Sequence, residues 1–318
     1  MTLSIVHDCD PGNDDALGIL VALGSQDLSL EAVTTGAGHL VGDRTARNAA
    51  ITLAIAGERG TPVSSGAMAP LVRERLIAGV LDLESGLDPE RPDLPAVEIL
   101  RDATSAETIA DFAERGGLTI VTTGPLTNFA LALRNRPSIA AKLVRVVTLG
   151  GAWGLGNKTA AAEWNVLCDP EAAAIVFGAG IPITLIPIDA ASQVMIDDAL
   201  CEKIQALPGA VPRFAVELLL SLRKTFRRGP FGPTDMPLND PLALLVAGAP
   251  TLARTVPARV DIELAGRFTY GRTVVDFAGK SGLPPNCEVV VEFDVAATRR
   301  EFVSAFARLA ETQSSSPH

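Results

Sequence analysis

Strand-like and helix-like segments alternate along almost the whole chain, and that alternation constrains the fold more than any other feature. Leu3–His7 reads as a strand and Asp14–Gly24 as a helix closed by Gly24. Leu30–Thr35, Thr61–Ser65, Leu118–Thr122, Val144–Leu149 and Pro182–Ile188 read as further strands. Helical patterns at Arg44–Gly57, Ser105–Arg115, Thr127–Arg134 and Pro170–Gly178 lie between them. Strands separated by helices of this length make βαβ units and a parallel sheet. Parallel strands are covered on both faces and should be continuous apolar runs, as "ITLIPI" and "LTIVTTG" are. The expected fold class is therefore α/β: a single-domain, open, mostly parallel sheet with helices on both faces and a Rossmann-like core.

The second half changes character. Residues 197–228 read as largely helical, with an amphipathic stretch from Pro212 to Arg228. Strand candidates Arg259–Leu264, Thr273–Phe277 and Glu288–Phe293 are close enough to pair antiparallel at a sheet edge, before a helix at Thr298–Glu311. The Pro-rich stretch Asp82–Pro95 reads as a long surface loop. Residues 1–311 are expected to form one domain and 312–318, "TQSSSPH", a frayed tail.

A net charge of −10 opposes nucleic-acid backbones and anionic membranes as partners and favours a small neutral or cation-bridged ligand. No basic-then-apolar leader opens the sequence, and no uncharged apolar run is long enough to span a bilayer. Cys9, Cys168, Cys201 and Cys287 are scattered without paired spacing, as reduced thiols in a cytoplasmic protein would be. Cys9 sits between Asp8 and Asp10, where negative neighbours disfavour a thiolate, so it reads as a small buried side chain.

Chemistry concentrates after the first strand. "HDCDPGNDDA", residues 7–16, packs Asp8, Asp10, Asp14 and Asp15 into a short loop. Carboxylates this close repel one another, and burial raises the cost of ionising each; a cation resolves both problems. Pro11-Gly12 turns the chain so that Asp10 and Asp15 can point back to a common position. Ligands in open parallel sheets bind beyond the carboxyl ends of the strands, where Gly36–His39, Thr122–Gly124 and Gly150–Gly154 are also expected. Oxygen donors without a neighbouring His or Cys pair suit Ca²⁺ or Mg²⁺, with calcium favoured and zinc disfavoured. A competing reading makes Asp14 a helix cap, which accounts for one or two aspartates and not four.

These residues carry a resemblance. "DCDPGNDDA" is similar to the signature of the nucleoside hydrolases, the inosine/uridine-preferring, calcium-dependent N-ribohydrolases. "TTGPLTN" (Thr122–Asn128), "GNKTAAAEWNVLCDPEAA" (Gly156–Ala173), "NDPLALL" (Asn239–Leu245) and, more weakly, "YGRTVVDF" (Tyr270–Phe277) resemble further blocks of that family in family order. The resemblance implies cleavage of the N-glycosidic bond of ribonucleosides to free base and ribose. It implies Ca²⁺ held by Asp10, Asp15, Asp240 and the backbone carbonyl of Thr123, with Asp10 taking the proton of the attacking water. It also implies Asp14 at the 2′-hydroxyl, Asn165 at the 3′-hydroxyl, and Asn157 and Glu163 at the 5′-hydroxyl. The expected substrates are ribosides rather than 2′-deoxyribosides, and family precedent implies a homodimer or homotetramer. Capping competes for Asp240, which stands before Pro241, and suffices for Asp169, which stands before Pro170.

Two positions depart from the family pattern. Asn239 stands where many members carry the histidine that protonates the departing base, and His39 stands where the family usually has Asn. His39 becomes the candidate for contact with, or protonation of, that base. Trp164 is a candidate for stacking on base or ribose, as is Trp153 more weakly, with core packing the alternative for both. Arg223, Lys224, Arg227 and Arg228, flanked by Phe226 and Phe231, read as a solvated helix face or as a lid over the pocket. A phosphatase using Asp8 is disfavoured, because Gly12 stands where that chemistry needs a hydroxyl. A ribonucleoside-binding protein with little catalysis remains the alternative to an enzyme, because Asn239 donates no titrating proton.

Overall fold

The computed structural model describes residues 2–40, 42–76, 87, 95, 104–225 and 236–315. The chain runs β1 (Leu3–Cys9), α1 (Asn13–Gly24), β2 (Leu28–Thr35), α2 (Gly42–Ala56), β3 (Val63–Ser65), α3 (Ser105–Glu114), β4 (Leu118–Thr122) and α4 (Thr127–Asn135). It continues through β5 (Leu143–Leu149), α5 (Trp164–Cys168), α6 (Pro170–Phe177), β6 (Ile183–Ile186), α7 (Ile188–Ala191), α8 (Asp198–Gln205) and α9 (Ala210–Thr225). The last elements are α10 (Pro241–Gly248), β7 (Ala253–Ile262), β8 (Thr273–Asp276), β9 (Cys287–Phe293) and α11 (Val295–Ser315).

The strands form one sheet in the order β3–β2–β1–β4–β5–β6–β9–β7–β8. Every pairing from β3 to β9 is parallel, and β7 alone runs against its neighbours β9 and β8. The expected α/β architecture is present. The strand order reverses at β1, which pairs with β2 on one side and β4 on the other, and such a switch point opens a crevice at the carboxyl ends of the strands. One face of the sheet is covered by α1, α10 and α11 through Leu17, Leu20, Leu244, Phe302 and Phe306. The other is covered by α3, α4 and α6 through Ile109, Phe129 and Val176. The two faces are filled by separate apolar clusters, so the sheet is a rigid platform for what its strand ends carry.

Element ends differ from the sequence reading for local reasons. β1 runs on to Cys9, because Asp8 finds hydroxyl and amide partners inside the sheet. β6 stops at Ile186, since Pro187 has no N–H for the ladder, and α7 follows. β7 begins six residues before Arg259; Arg254, Thr255 and Pro257 hide it from an apolar count, but its antiparallel pairing leaves Arg254 and Thr255 exposed. The tail is not frayed from Thr312: α11 continues to Ser315, where Gln313 donates to the Ile55 carbonyl at 2.9 Å. Asp82–Pro95, apart from Leu87 and Pro95, and Phe226, Arg227, Arg228 and Phe231 lie outside the described residues. Arg223, on α9, pairs with Asp198 of α8 at 2.5 Å.

Candidate active site

Side chains alternate in a strand, so β1 sends His7 and Cys9 toward α1 and Asp8 to the opposite face. Asp8 Oδ1 accepts from the Thr34 hydroxyl at 2.8 Å and from Asn128 Nδ2 at 2.9 Å. Burial raises its pKa to about 7. The four clustered aspartates therefore divide: Asp8 is a structural acid inside the sheet, and Asp10, Asp14 and Asp15 belong to the crevice.

Asp10 leaves the end of β1 almost fully buried. Gly38 and Gly124 flank its carboxylate, and a Cβ on either would collide with it. Its Oδ2 accepts the His39 backbone N–H at 2.8 Å and lies 3.3 Å from His39 Nδ1. Gly12 serves as the N-cap of α1, with Asp15 Oδ2 accepting the Gly12 N–H at 3.3 Å. Asp14 is thus in the first turn of the helix and is not its cap.

Asp14, Asp15 and Asp240 bring carboxylate oxygens within 4.8 Å of one another. Asp240 precedes α10 but makes no side-chain cap bond; it meets Asp14 instead. That geometry answers the capping alternative. Burial, then repulsion from neighbouring acids, holds Asp15 and Asp240 well above the ordinary carboxylate range. Burial raises Asp14 as well, against the opposing pull of His39. Among the described residues, no Lys or Arg ion pair reaches these acids. Buried acids without a paired cation either stay protonated or hold a metal ion. Several carboxylates and a carbonyl edge in one pocket fit a hard divalent ion, which takes oxygen ligands in flexible geometry.

Thr123, at the end of β4, ties this group together. Its hydroxyl donates to Asp15 Oδ1 at 2.6 Å and lies 2.8 Å from His7 Nε2. Its carbonyl accepts Asn165 Nδ2 at 2.8 Å. Asn165 Nδ2 also reaches the Leu149 carbonyl at 3.3 Å, so Oδ1 is what this side chain has left for a ligand. Glu163 is the N-cap of α5: it accepts from Asn165 N–H at 2.9 Å, Gly151 N–H at 2.8 Å and Val166 N–H at 3.2 Å. A carboxylate has about four acceptor positions, so about one remains open. Burial raises its pKa against those three bonds. Asn157 is exposed and accepts the Trp164 N–H at 2.9 Å.

Trp164 is buried, and its indole stacks on the His39 ring, with centroids 4.4 Å apart and planes 17° from parallel. Lys158 Nζ lies 4.6 Å from the indole centroid. In this structure the tryptophan holds His39 in place. Trp153 is half-buried against the apolar core and packs edge-to-face on the exposed Phe277 at 5.7 Å. Asn239 has φ of 48°, the one non-glycine residue with positive φ among the described residues, a conformation that Asn adopts more readily than most. The crevice thus brings together Asp10, Asp14, Asp15, Thr123 and Asp240; His39 contacts Asp10 and Asn165 contacts Thr123, while Trp164 joins through His39 and Glu163 through Asn165. Asn157 touches this group only through Trp164.

Sequence reasoning passed over four supports. Asn128, within "TTGPLTN", bridges Asp8 and the Ala67 N–H. Asp189 accepts the Trp153 and Gly154 N–H groups at 2.9 and 3.0 Å. Arg75 donates to the carbonyls of Gly38 and His39. His7 reaches Thr123. Asn128 lay in a family block and His7 at the head of "HDCDPGNDDA", but all four act through backbone or through a residue distant in sequence.

Comparison with known proteins identifies the family. The family model for inosine-uridine preferring nucleoside hydrolases matches residues 5–300. The chain belongs to that family, and is by class an N-glycosyl hydrolase. Among its relatives is a pyrimidine-specific ribonucleoside hydrolase, RihA, of Citrobacter koseri, 40% identical over 315 residues that cover 96% of this chain and 97% of the relative. RihA of Escherichia coli is 39% identical, covering 96% and 98%. The fold is shared with a purine-preferring ribonucleoside hydrolase from Gardnerella vaginalis at TM-score 0.88 and 28% identity, covering 97% of this chain and 99% of the other. It is likewise shared with the plant nucleoside hydrolase PpNRh1 at TM-score 0.87 and 27% identity, covering 96% and 99%.

Proposed function

We propose that this enzyme hydrolyses the N-glycosidic bond of pyrimidine ribonucleosides, using Ca²⁺ held by Asp10, Asp15, Asp240 and the Thr123 carbonyl. The observation that carries the reading is the set of buried carboxylates with no Lys or Arg partner at the switch point of the sheet. Bound calcium would supply positive charge that lets these acids ionise together and makes a nearby water easier to deprotonate. His39 engages Asp10 Oδ2, so Oδ1 is the atom left to accept the water's proton. The sugar then develops positive charge as its bond to the base breaks, and the surrounding carboxylates stabilise it.

Asp14 is assigned to the 2′-hydroxyl, the Asn165 Oδ1 to the 3′-hydroxyl, and the open acceptor position of Glu163, with Asn157, to the 5′-hydroxyl. His39 is assigned to the leaving base. Its Nδ1 faces Asp10 and its ring is fixed on Trp164, and Nε2 has no partner among the described residues. Asn239 is assigned a hydrogen bond to the base without proton transfer. The pyrimidine preference rests on the relatives named pyrimidine-specific, which share more of this sequence than the purine-preferring structure does. Among the described residues no helix is long and apolar enough to cross a membrane. The test is a panel of uridine, cytidine, inosine, 2′-deoxyuridine and nitrophenyl riboside, each assayed with calcium and with chelator. Calcium-dependent release of base, fastest from the pyrimidine ribosides among the natural substrates, is expected. Cleavage of none would refute the hydrolase reading and favour the binding protein.

A further inference from the structure

We propose that His7 is a positioning residue for the cation, acting on Asp15 through the hydroxyl of Thr123; this rests on the reading that Asp15 holds a divalent ion. His7 lies inside β1 and is fully buried. Its Nε2 is 2.8 Å from Thr123 Oγ1, which is itself 2.6 Å from Asp15 Oδ1. Donor arithmetic fixes the direction of this chain. A threonine hydroxyl has one proton, and an ionised carboxylate only accepts, so that proton goes to Asp15. The remaining bond to Oγ1 must then be donated by His7, which carries its hydrogen on Nε2.

The cost of this arrangement is visible. With Nε2 protonated, Nδ1 is a bare acceptor, and it is buried with no hydrogen-bond partner. An apolar side chain would fill a buried strand position facing α1 without leaving such an atom. Gly18 of α1 faces the ring, and a Cβ there would stand 3.4 Å from His7 Cε1. Packing alone therefore gives no reason for an imidazole here. Thr123 does give one. Its backbone is already held, by the Asp8 carbonyl at 3.0 Å and by Asn165, leaving its hydroxyl as the part free to rotate. His7 locks that hydroxyl onto Asp15, whose other described support is the longer bond from Gly12. Each Asp15 oxygen then accepts one protein hydrogen bond and keeps a lone pair for the ion. Partners that orient a metal ligand from behind change affinity by about 10–100-fold.

The experiment is calcium titration by calorimetry on metal-stripped full-length protein, comparing the parent with His7→Leu, His7→Gln, Thr123→Val and the pairs His7→Leu/Thr123→Val and His7→Gln/Thr123→Val. Affinity should fall about tenfold or more in His7→Leu, and stay within about threefold of the parent in His7→Gln, whose amide donates from the same place. Thr123→Val should weaken binding equally, and His7→Leu added to it should cost nothing further. A purely structural role predicts otherwise: Leu and Gln variants equally weak, or losses that add in the double variant, and either result overturns the proposal. Should His7→Leu fail to fold, the Gln variants still decide. Thr123→Val must weaken binding in the His7→Gln background as it does in the parent, and an unchanged affinity there refutes the relay. If the parent itself binds no calcium, every variant will look alike; that result removes the cation reading, and this proposal with it.

Discussion

Gly38→Ala probes how tightly the enzyme holds Asp10, the proposed proton acceptor. Gly38 does not have a positive φ, so alanine is allowed by the backbone there. The added methyl would nevertheless overlap the Asp10 carboxylate. Retreat toward the other side is blocked, since a Cβ on Gly124 would stand only 2.5 Å from Asp10 Oδ1, so the two glycines form the walls of a slot. Restoring ordinary contact with the methyl requires a displacement on the order of 1 Å. It also breaks the 2.8 Å bond from the His39 N–H. Misplacing a reacting group by that much costs roughly 100-fold in rate, or about 2.7 kcal/mol in the barrier. Overpacking should cost a further 1–3 kcal/mol of stability, roughly, and leave the protein folded. Steady-state cleavage of nitrophenyl riboside under saturating calcium reads the rate, and thermal unfolding reads the stability. A folded Gly38→Ala variant retaining more than half the parent's kcat would refute the placement of Asp10 as the group that takes the proton.

Other consequences are equally open to measurement. Asp8 has a pKa raised to about 7, so the folded state binds more protons than the unfolded chain between the ordinary carboxylate value and that point. Stability of the metal-free protein should therefore fall as pH rises from about 4 to 7, by on the order of 4 kcal/mol from this one group. Urea unfolding across that window checks the slope, and Asp8→Asn should lessen it by about that amount, the remainder coming from the other raised carboxyls. Asn239→His should raise inosine turnover by about tenfold or more while leaving nitrophenyl riboside cleavage nearly unchanged, because only the poor leaving group needs acid help; equal effects on both substrates would count against that assignment. His39→Ala should lower kcat for uridine by about tenfold or more, through loss of its contact with the base and its hold on Asp10. Unchanged kcat and pH dependence would end that role.

Most of the sheet was legible because buried parallel strands and amphipathic helices leave strong periodic marks. The ends were less so, since they are decided by partners far away in sequence. Asp8 and Cys9 look too polar for a strand, and only the Thr34 hydroxyl and Asn128 amide explain why β1 includes them. α5 is five residues long, too short to show a period, although Glu163 caps it. The acidic group was visible in "DPGNDD" because charge density itself is a signal. Asp240 was ambiguous in sequence, for a cap and a ligand look alike before proline; its side chain meets Asp14 and makes no cap bond. Trp164 read in sequence either as a stacking ring or as core packing; it is buried and stacks on His39, and no local pattern records which ring it meets. His7 heads "HDCDPGNDDA", yet nothing local marks its role, because its partner stands 116 residues away.

The most direct test of the central claim is calcium binding itself. Calorimetric titration of metal-stripped protein should show one class of tight site, lost in Asp15→Asn and in Asp240→Asn, with riboside cleavage returning in step with its occupancy. Metal-stripped protein that takes up no calcium, and still cleaves uridine at the full rate after Asp10→Ala, would contradict it.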